Sequence, residues 1–531
     1  MRGPRRLSQR AFPKFQEPMV ETAVPASLPP PIGGWNAIDP LSKMSPTDAI
    51  VLDNLYPSTA EVKLRKGKAE FATGMTGVAR KFLQYSGGTS KELFAATDSG
   101  IYDVSAAGAV GGAVASCTNG YWKHLNFAAT GGNYMLAVNG VDKLKLYDGS
   151  SWVAVDGAST PAITGVTTST LSNIIMFKSR IWFVEKNTLN AWYLGTGAVS
   201  GAATKFPVGP LFEKGGTLIA MATWSVDSGN KFDDYLLFLT SEGQLAVYEG
   251  TDPSSSTTFA LVGVYYIGEP LGEEPFIKYG GDLLYLSKRG VFPISARMRS
   301  TEEVDPTKEF TYRISQAYQD RAALYGSVKG WGFCLNPNEN ALLINVPIST
   351  GAYSEQLVMN NITKAWCRFT GWDAADFALF DGEVYSCLGT STYQHWVGLD
   401  DAGAPIVARC AQAYYNFKQI YNKNMQMVRP NVTLEGTITL QLGFDTDYQS
   451  YSGDSQFMLT SIGGGDDGGL WDSGVWDTAI WSSGAQPVTV GWRTVPSNVG
   501  LFHSFRLQLT TSSATFSWTS TDFVLEKAGI L

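Results

Sequence analysis

The chain has 531 residues, of which 44% are hydrophobic and 17% charged, and its formal net charge is −8. This length exceeds the size at which one hydrophobic core usually stops growing, so several domains or one large closed β architecture are expected. The modest negative charge argues against a dedicated nucleic-acid-binding protein, because such proteins gain affinity from clustered Lys and Arg. The 56 glycines, together with the lack of long helix-forming stretches, favour an all-β protein.

The five cysteines are odd in number and lie far apart in the sequence, which predicts buried thiols rather than a disulfide framework. Basic side chains near the N-terminus are not followed by an apolar segment, so we expect no secretory signal there. No run of about 18 apolar residues occurs in the chain, and a membrane span is therefore not expected.

Residues 1–34 contain seven prolines, and this composition predicts an extended arm that does not fold alone. The arm carries a basic patch that is a candidate contact for DNA or for an acidic partner, formed by Arg2, Arg5, Arg6 and Arg10. A solvated or partner-docked tail is the commoner outcome for such a segment. Residues 35–79 are predicted to be the N-terminal part of a second domain, called the platform below.

Residues 80–400 alternate short apolar strands with turns that contain Gly, Asp or Asn, which predicts β-hairpins. Six hairpins are recognisable, pairing Leu93–Ala96 with Ile101–Asp103, Tyr134–Val138 with Leu144–Gly149, Ile181–Val184 with Ala191–Tyr193, Tyr235–Leu239 with Leu245–Gly250, Leu283–Leu286 with Val291–Ile294, and Phe377–Phe380 with Val384–Tyr385. Their spacing of roughly 40–60 residues predicts a β-propeller of about six to eight blades. A β-sandwich or an open run of meanders would contain the same hairpins, and the strand pattern does not distinguish them.

Residues 401–531 are predicted to be the C-terminal part of the platform, a β-sandwich-like domain built from both chain ends. Alternating apolar and polar residues, as in Thr437–Leu442 and Ser504–Leu509, indicate half-buried strands. A loop rich in Gly and Trp lies between them and carries Trp471, Trp476 and Trp481. A sugar-stacking or metal-binding loop is one interpretation of these tryptophans. A subunit or partner contact is favoured, because a buried Trp contributes a large area at low entropic cost.

Motifs that carry chemistry are missing from the sequence. The three histidines have no second His or Cys at metal-ligand spacing, and no P-loop, zincin, serine-hydrolase or EF-hand pattern occurs. The segment Ser225–Phe232 resembles one Asp box, a turn motif of sialidase propellers that is not itself catalytic. We therefore predict no catalytic residues, no cofactor and no metal, and expect the protein not to be an enzyme.

Several phrases of the sequence resemble a virion protein of podovirus-type bacteriophages, whose best understood relatives are tail nozzle proteins, also called tail tubular protein B or tail hub. The phrases are Gly34–Pro40, Met44–Ala49, Leu52–Pro57, Arg65–Gly67, Phe177–Phe183 and Tyr248–Pro253. The likeness covers most of residues 34–430 and is weaker in the last hundred residues. It is more specific to phage virions than to the nozzle role.

The resemblance implies a homo-hexamer of β-propeller subunits, each joined to a platform, that hangs below the adaptor ring under the portal. Genomic double-stranded DNA would pass through the central channel without sequence-specific binding, and tail fibres or spikes would attach outside. The protein would be synthesised in the host cytoplasm and located in the phage tail. A head-completion or DNA-stabilising hub is the nearest alternative. A propeller glycosidase is a more distant one, since it requires two carboxyl groups about 5–10 Å apart.

Overall fold

The computed structural model describes residues 23–227, 232–298, 306–449, 458–463, 486–496 and 498–529. Strands dominate these residues, and the two α-helices among them are α1 (Ile294–Met298) and α2 (Ser315–Tyr325). Short 3-10 turns occupy Thr168–Thr170, Gly209–Leu211, Pro306–Lys308 and Tyr312–Ile314. Within the described ranges, neither helix is long and apolar enough to cross a membrane. The predicted all-β fold class is confirmed.

Four antiparallel four-stranded sheets follow one another along the chain, and we call them blades 1 to 4. Blade 1 contains Ala79–Ser86, Lys91–Thr97, Gly100–Asp103 and Ala115–Ser116. Blade 2 contains Lys123–Ala129, Gly132–Val138, Leu144–Tyr147 and Trp152–Val155. Blade 3 contains Leu171–Phe177, Arg180–Glu185, Asn190–Tyr193 and Thr204–Pro207. Blade 4 contains Leu218–Asp227, Phe232–Thr240, Gln244–Gly250 and Phe259–Tyr266.

Three further sheets continue the series. Blade 5 has three strands, Phe276–Tyr279, Asp282–Ser287 and Gly290–Pro293. Blade 6 is one end of a ten-stranded sheet and contains Gly332–Asn336, Ala341–Pro347, Ser354–Asn360 and Trp366–Phe369. Blade 7 has five strands, Asp376–Phe380, Glu383–Leu388, Ser391–His395, Lys68–Thr73 and Gly108–Ala109. A small two-stranded sheet, Ile163–Thr164 with Gly201–Ala202, stands apart from the series.

Hydrophobic clusters lie between neighbouring blades and show that the series closes into a circle. Separate clusters join blades 1 and 2, 2 and 3, 3 and 4, and 4 and 5, and the largest cluster extends through blades 5, 6 and 7. Another cluster joins blade 7 to blade 1 by packing Ala378 and Tyr385 against Phe82 and Ala95. Each blade thus covers its two faces with its neighbours, as a propeller requires. The predicted propeller is confirmed. Blade 6 belongs to a sheet that it shares with the platform, and each of the other blades is a separate sheet.

The platform is a sandwich of two sheets that draw strands from both chain ends. One sheet continues blade 6 through Gly34–Trp35, Asp48–Asp53, Ile406–Gln412, His503–Thr511, Thr437–Thr446 and Met458–Gly463. The other contains Val24–Leu28, Leu55–Pro57, Val62–Leu64, Asn422–Glu435, Gln486–Thr489, Arg493–Thr494, Val499–Gly500 and Thr515–Gly529. The rings of Phe444 and Phe523 meet across the two sheets at 5.7 Å between centroids. A single cluster of buried side chains extends from this sandwich into blades 5 to 7.

A buried ion pair connects the N-terminal segment to the chain that follows blade 7. The guanidinium of Arg65 makes two bonds to the carboxylate of Asp401, at 2.6 and 2.8 Å. Its Nε donates to Asn54 at 2.8 Å, and the indole of Trp372 donates to Asp401 at 3.2 Å. The side chain of Arg65 is completely buried and that of Asp401 is 7% exposed. Bidentate geometry of this kind fixes the register of the two segments.

Strand pairing follows the predicted hairpins closely. All six hairpins pair as expected, each across a short turn. The hairpin of Ala341–Pro347 with Ser354–Asn360 is not among the predicted ones, because its loop lacks a two-residue Asn-Gly or Asp-Gly turn. The eleven-residue helix α2 was also missed. Polar residues surround its three buried side chains, Ala317, Tyr318 and Ala322, so the sequence shows little helical periodicity.

Substitution of Arg65 by Ala should destabilise the fold strongly, because it leaves the Asp401 carboxylate buried without its charge partner. We expect a loss of about 3–5 kcal/mol in the free energy of unfolding. Urea unfolding followed by tryptophan fluorescence measures this loss. Lys63→Ala is the matched control, since Lys63 pairs with Glu61 at the surface and such pairs contribute about 1 kcal/mol or less. Equal losses in the two variants would contradict the assigned role of Arg65.

Candidate functional site

A cavity of about 300 Å³ lies on the propeller axis and is the candidate functional site. Residues from the first strand of each of the seven blades line it. Charged side chains gather there because several of these strands begin with them: Lys123 opens the first strand of blade 2 and Asp376 the first strand of blade 7. Glu274 lies two residues before the first strand of blade 5. Inner strands that start at the same end of the axis bring their first residues together.

Lys81 of blade 1 holds two carboxylates across the axis. Its ammonium group donates to Glu274, which precedes blade 5, and to Asp376 of blade 7 at 2.9 Å. The second carboxylate oxygen of Asp376 accepts the backbone N–H of Phe82 at 3.1 Å. Three separate parts of the ring are therefore tied to one side chain. The two carboxyl groups form an acidic pair that sequence reasoning missed, since 102 residues separate them in the chain.

A second lysine extends this cluster toward the neighbouring blade. Lys123 is 7% exposed, and its ammonium group donates to the carbonyl oxygen of Glu273 at 2.7 Å. The carboxylate of Glu273 in turn pairs with Lys329 at 3.1 Å. We call Lys81, Lys123, Glu273, Glu274, Lys329 and Asp376 the axial cluster. Its positive and negative groups are equal in number, which favours mutual neutralisation over attraction of a charged ligand.

Burial and pairing shift the pKa values of the axial cluster in different directions. Burial raises the pKa of Asp376 above its ordinary value, although Lys81 opposes the shift. Burial would also raise the pKa of Glu274, but the ammonium groups of Lys81 and Lys123 outweigh it and the pKa is lowered. For Lys81, burial opposes the charged form, while Asp376 and Glu274 raise the pKa above its usual range. The charged state of Lys81 is therefore the one that the fold favours.

The histidines and cysteines supply no alternative centre. Burial lowers the pKa of His124 to about 4, and its Nε2 accepts the backbone N–H of Gln84 at 3.2 Å. His395 and His503 are also buried. His395 is hydrogen-bonded to the hydroxyl of Ser386, and His503 is hydrogen-bonded to the carbonyl of Gly500. All five cysteines are buried and unpaired, as predicted. In the part of the chain that the structure describes, no three His, Cys, Asp or Glu side chains are grouped as a metal site.

The axial cluster forms ion pairs between different blades of the propeller. A glycosidase would present its two carboxyl groups to a substrate in a cleft. Here the ammonium group of Lys81 contacts both carboxylates, so each is already occupied by a protein partner. The cluster therefore connects blade 1 to blade 7 and to the segment before blade 5.

The residues predicted as contact sites are not among those that the structure describes. Arg2, Arg5, Arg6 and Arg10, as well as Trp471, Trp476 and Trp481, fall outside the described residues. The segment that resembles an Asp box is described in part, since residues 228–231 are also outside. The strands Leu218–Asp227 and Phe232–Thr240 pair in register from Trp224 opposite Tyr235 to Asp227 opposite Phe232.

Comparison with protein-family models finds no match for this chain, and a search of curated protein sequences finds none either. Among solved structures, it is similar to BBS1N in complex with ARL6DN, with a TM-score of 0.36 and 8% identity over 62% of this chain and 96% of that one. The Myceliophteria thermophila Cps50 (Swd1) β-propeller domain has a TM-score of 0.38 and 10% identity over 62% and 99%. Chaetomium thermophilum Raptor has a TM-score of 0.37 and 11% identity over 62% of this chain and 29% of that one.

Replacing the two carboxylates that share Lys81 should change the pH dependence of stability in opposite directions. The lowered pKa of Glu274 gives stability that is present above about pH 4.5 and lost as the pH falls, so wild type should gain stability over Glu274→Gln as the pH rises. The raised pKa of Asp376 gives stability that is present at low pH and lost as the pH rises above about 3.8. Wild type should therefore lose stability relative to Asp376→Asn over the same interval.

Urea unfolding of the three proteins between about pH 3 and pH 6 measures both differences, because the contribution of Glu274 changes below about pH 4.5 and that of Asp376 changes above about pH 3.8. Curves for Glu274→Gln and Asp376→Asn that diverge from wild type with opposite sign support the assignment. Divergence of the same sign in both variants would show that Lys81 does not distinguish the two carboxylates.

Proposed function

We propose that the chain is a structural virion protein of a short-tailed bacteriophage, acting as the tail nozzle that forms the distal tail channel. In this role it retains genome DNA before infection and conducts it during ejection. One observation carries the proposal: a closed propeller is fused, through a shared sheet and a continuous core, to a platform made from both chain ends. Such a subunit is a rigid body with a separate contact domain, which suits ring assembly.

Four of the six phrases that resemble tail nozzle proteins lie where propeller and platform meet, whereas Phe177–Phe183 and Tyr248–Pro253 begin in strands of blades 3 and 4. Gly34 adopts a φ of 80°, and a Cβ there would come within 2.7 Å of the backbone of Trp366 in blade 6. Asn36 donates to Asp48 at 2.9 Å, and Arg313 pairs with the same carboxylate at 2.6 Å. Arg65 is the centre of the buried ion pair described above. These contacts join the N-terminal segment to blade 6 and to Arg313, and a ring of identical subunits requires a constant angle between the two domains.

The propeller axis does not provide a route for DNA. The ion pairs of Lys81 cross the cavity of about 300 Å³ on this axis. A cavity of this size is too small for B-DNA, whose major groove alone is about 12 Å wide. A conduit must then form between subunits, around the symmetry axis of a homo-hexamer. The net charge of −8 suits such a wall, because repulsion of phosphates keeps the moving duplex weakly held.

The partners in this role are the adaptor ring above, tail fibres or spikes outside, and genomic DNA within. A head-completion or DNA-stabilising hub is the second candidate, and the same phrases support it. Its position at the head rather than at the tail tip distinguishes it. A propeller glycosidase is supported less, because Lys81 already contacts both members of the acidic pair on the axis.

A symmetric reconstruction of the virion tail should place six copies of this chain around the DNA path at the distal end. Antibody against the purified protein, detected on whole virions by immunogold labelling, should mark the tail tip. Labelling at the head vertex would favour the hub. Three-fold or asymmetric placement of the chain would overturn the proposed ring.

A further inference from the structure

The outer strand of blade 4, Phe259–Tyr266, differs from the outer strands of the other four-stranded blades. It has eight residues, whereas the outer strand of blade 1 has two and those of blades 2 and 3 have four each. The outer strand of blade 3 also contains Lys205 and Pro207. Short length, lysine and proline are the devices that prevent exposed edges from pairing with other chains. The outer strand of blade 4 is not short and contains no lysine or proline, and a bulge at Val262 is the one device of this kind that it carries.

The side chains of this strand are apolar and partly exposed. Leu261, Val262, Val264 and Tyr266 have exposed fractions of 40%, 42%, 36% and 56%. No charged residue occurs between Phe259 and Tyr266, and the nearest cation, Lys214, lies 3.5 Å from the ring centre of Tyr266. A contiguous apolar strip on a monomer surface commonly marks an interaction site.

The backbone of the strand is available on its outer side. Within the described residues, blade 4 ends at this strand, which pairs with Gln244–Gly250 and with no strand beyond. A bulge at Val262 interrupts the register, but Gly263–Tyr266 pair continuously with Gln244–Val247. Alternate N–H and C=O groups of an edge strand point outward, so this run can accept another strand.

We propose that Phe259–Tyr266, called the blade 4 edge below, is a docking site for an extended, uncharged segment of another polypeptide. The segment adds to blade 4 as a fifth strand, with main-chain hydrogen bonds supplying affinity and apolar side chains lying over Val264 and Tyr266. The lack of charge on the strand requires a segment that is uncharged at the facing positions, since a charge would be desolvated without a partner.

The area of the strip decides between a single strand and a second copy of this chain. Four partly exposed side chains offer on the order of a few hundred Å², whereas a stable interface buries about 800 Å² on each partner. The strip is too small to hold two folded copies together by itself. It is adequate for one strand, whose main-chain bonds add to the apolar contact.

The probe for this site is a fluorescein-labelled peptide of alternating Thr and Val with one terminal Lys at each end, titrated into the full chain and followed by anisotropy. We expect saturable binding. The matched control peptide has the same sequence with alternate backbone nitrogens methylated, which removes the hydrogen bonds along one edge. Its binding should be at least ten-fold weaker.

Two protein variants locate the binding. Val264→Lys places a charge on the blade 4 edge and should weaken binding at least ten-fold, while its melting temperature stays near that of wild type because the position is exposed. Val141→Lys is the control, since Val141 is 45% exposed on a turn of blade 2, and it should bind the peptide as wild type does.

Three results would overturn the proposal. They are the absence of binding at millimolar peptide, equal binding of the methylated peptide, and equal binding by Val264→Lys. Concentration-dependent dimers that Val264→Lys abolishes, without peptide binding, would instead identify the edge as a contact between copies. None of these results depends on the symmetry of the virion tail, so they are separable from failure of the nozzle role.

Discussion

The pairing of Lys68–Thr73 with Ser391–His395 is the contact on which the rest of the molecule depends. Five residue pairs join these strands, and a register shift lies between Thr392 and Tyr393. The first strand follows directly on platform strands in the sequence, and the second is the last strand of blade 7 along the chain, so one ladder closes the ring and joins the domains. Closing a loop over more than 300 residues costs chain entropy that grows slowly with length, and many weak contacts can offset it.

Closure makes the axis a place where blades are tied together rather than a passage. The ammonium group of Lys81 joins blade 1 to blade 7 and to the segment that precedes blade 5. These ties cross the circle, whereas the hydrophobic clusters run around it. A ring held in both directions resists shear, and its interactions with other molecules are then expected at the perimeter and on the platform. The blade 4 edge lies at that perimeter.

Much of the propeller could be predicted from the sequence, because its hairpins are local. Turns such as Asn139-Gly140 and Asp381-Gly382 combine with apolar runs into a signal that needs no distant residue. The closing strand could not be predicted this way. Residues 35–79 were assigned to the platform, yet Lys68–Thr73 from that range forms its hydrogen bonds with blade 7, more than 300 residues away. The platform as a sandwich of both chain ends was predicted and is present.

The axial cluster escaped prediction for the same physical reason. Lys81, Glu274 and Asp376 lie within, before and at the start of three different inner strands, and nothing in their immediate sequence distinguishes them from ordinary surface charges. Only ring closure brings them together. Helix α2 and the hairpin of blade 6 were missed because their residues lack a clear period or a tight turn signal.

Native-state hydrogen exchange read by mass spectrometry tests the central claim, that the strand Lys68–Thr73 and the propeller form one closed unit. If closure is cooperative, peptides covering Lys68–Thr73 and Ser391–His395 should exchange in the same step, at the free energy of global unfolding. Exchange of Lys68–Thr73 in an earlier step of lower free energy, with blades 1 to 6 still protected, would contradict the account.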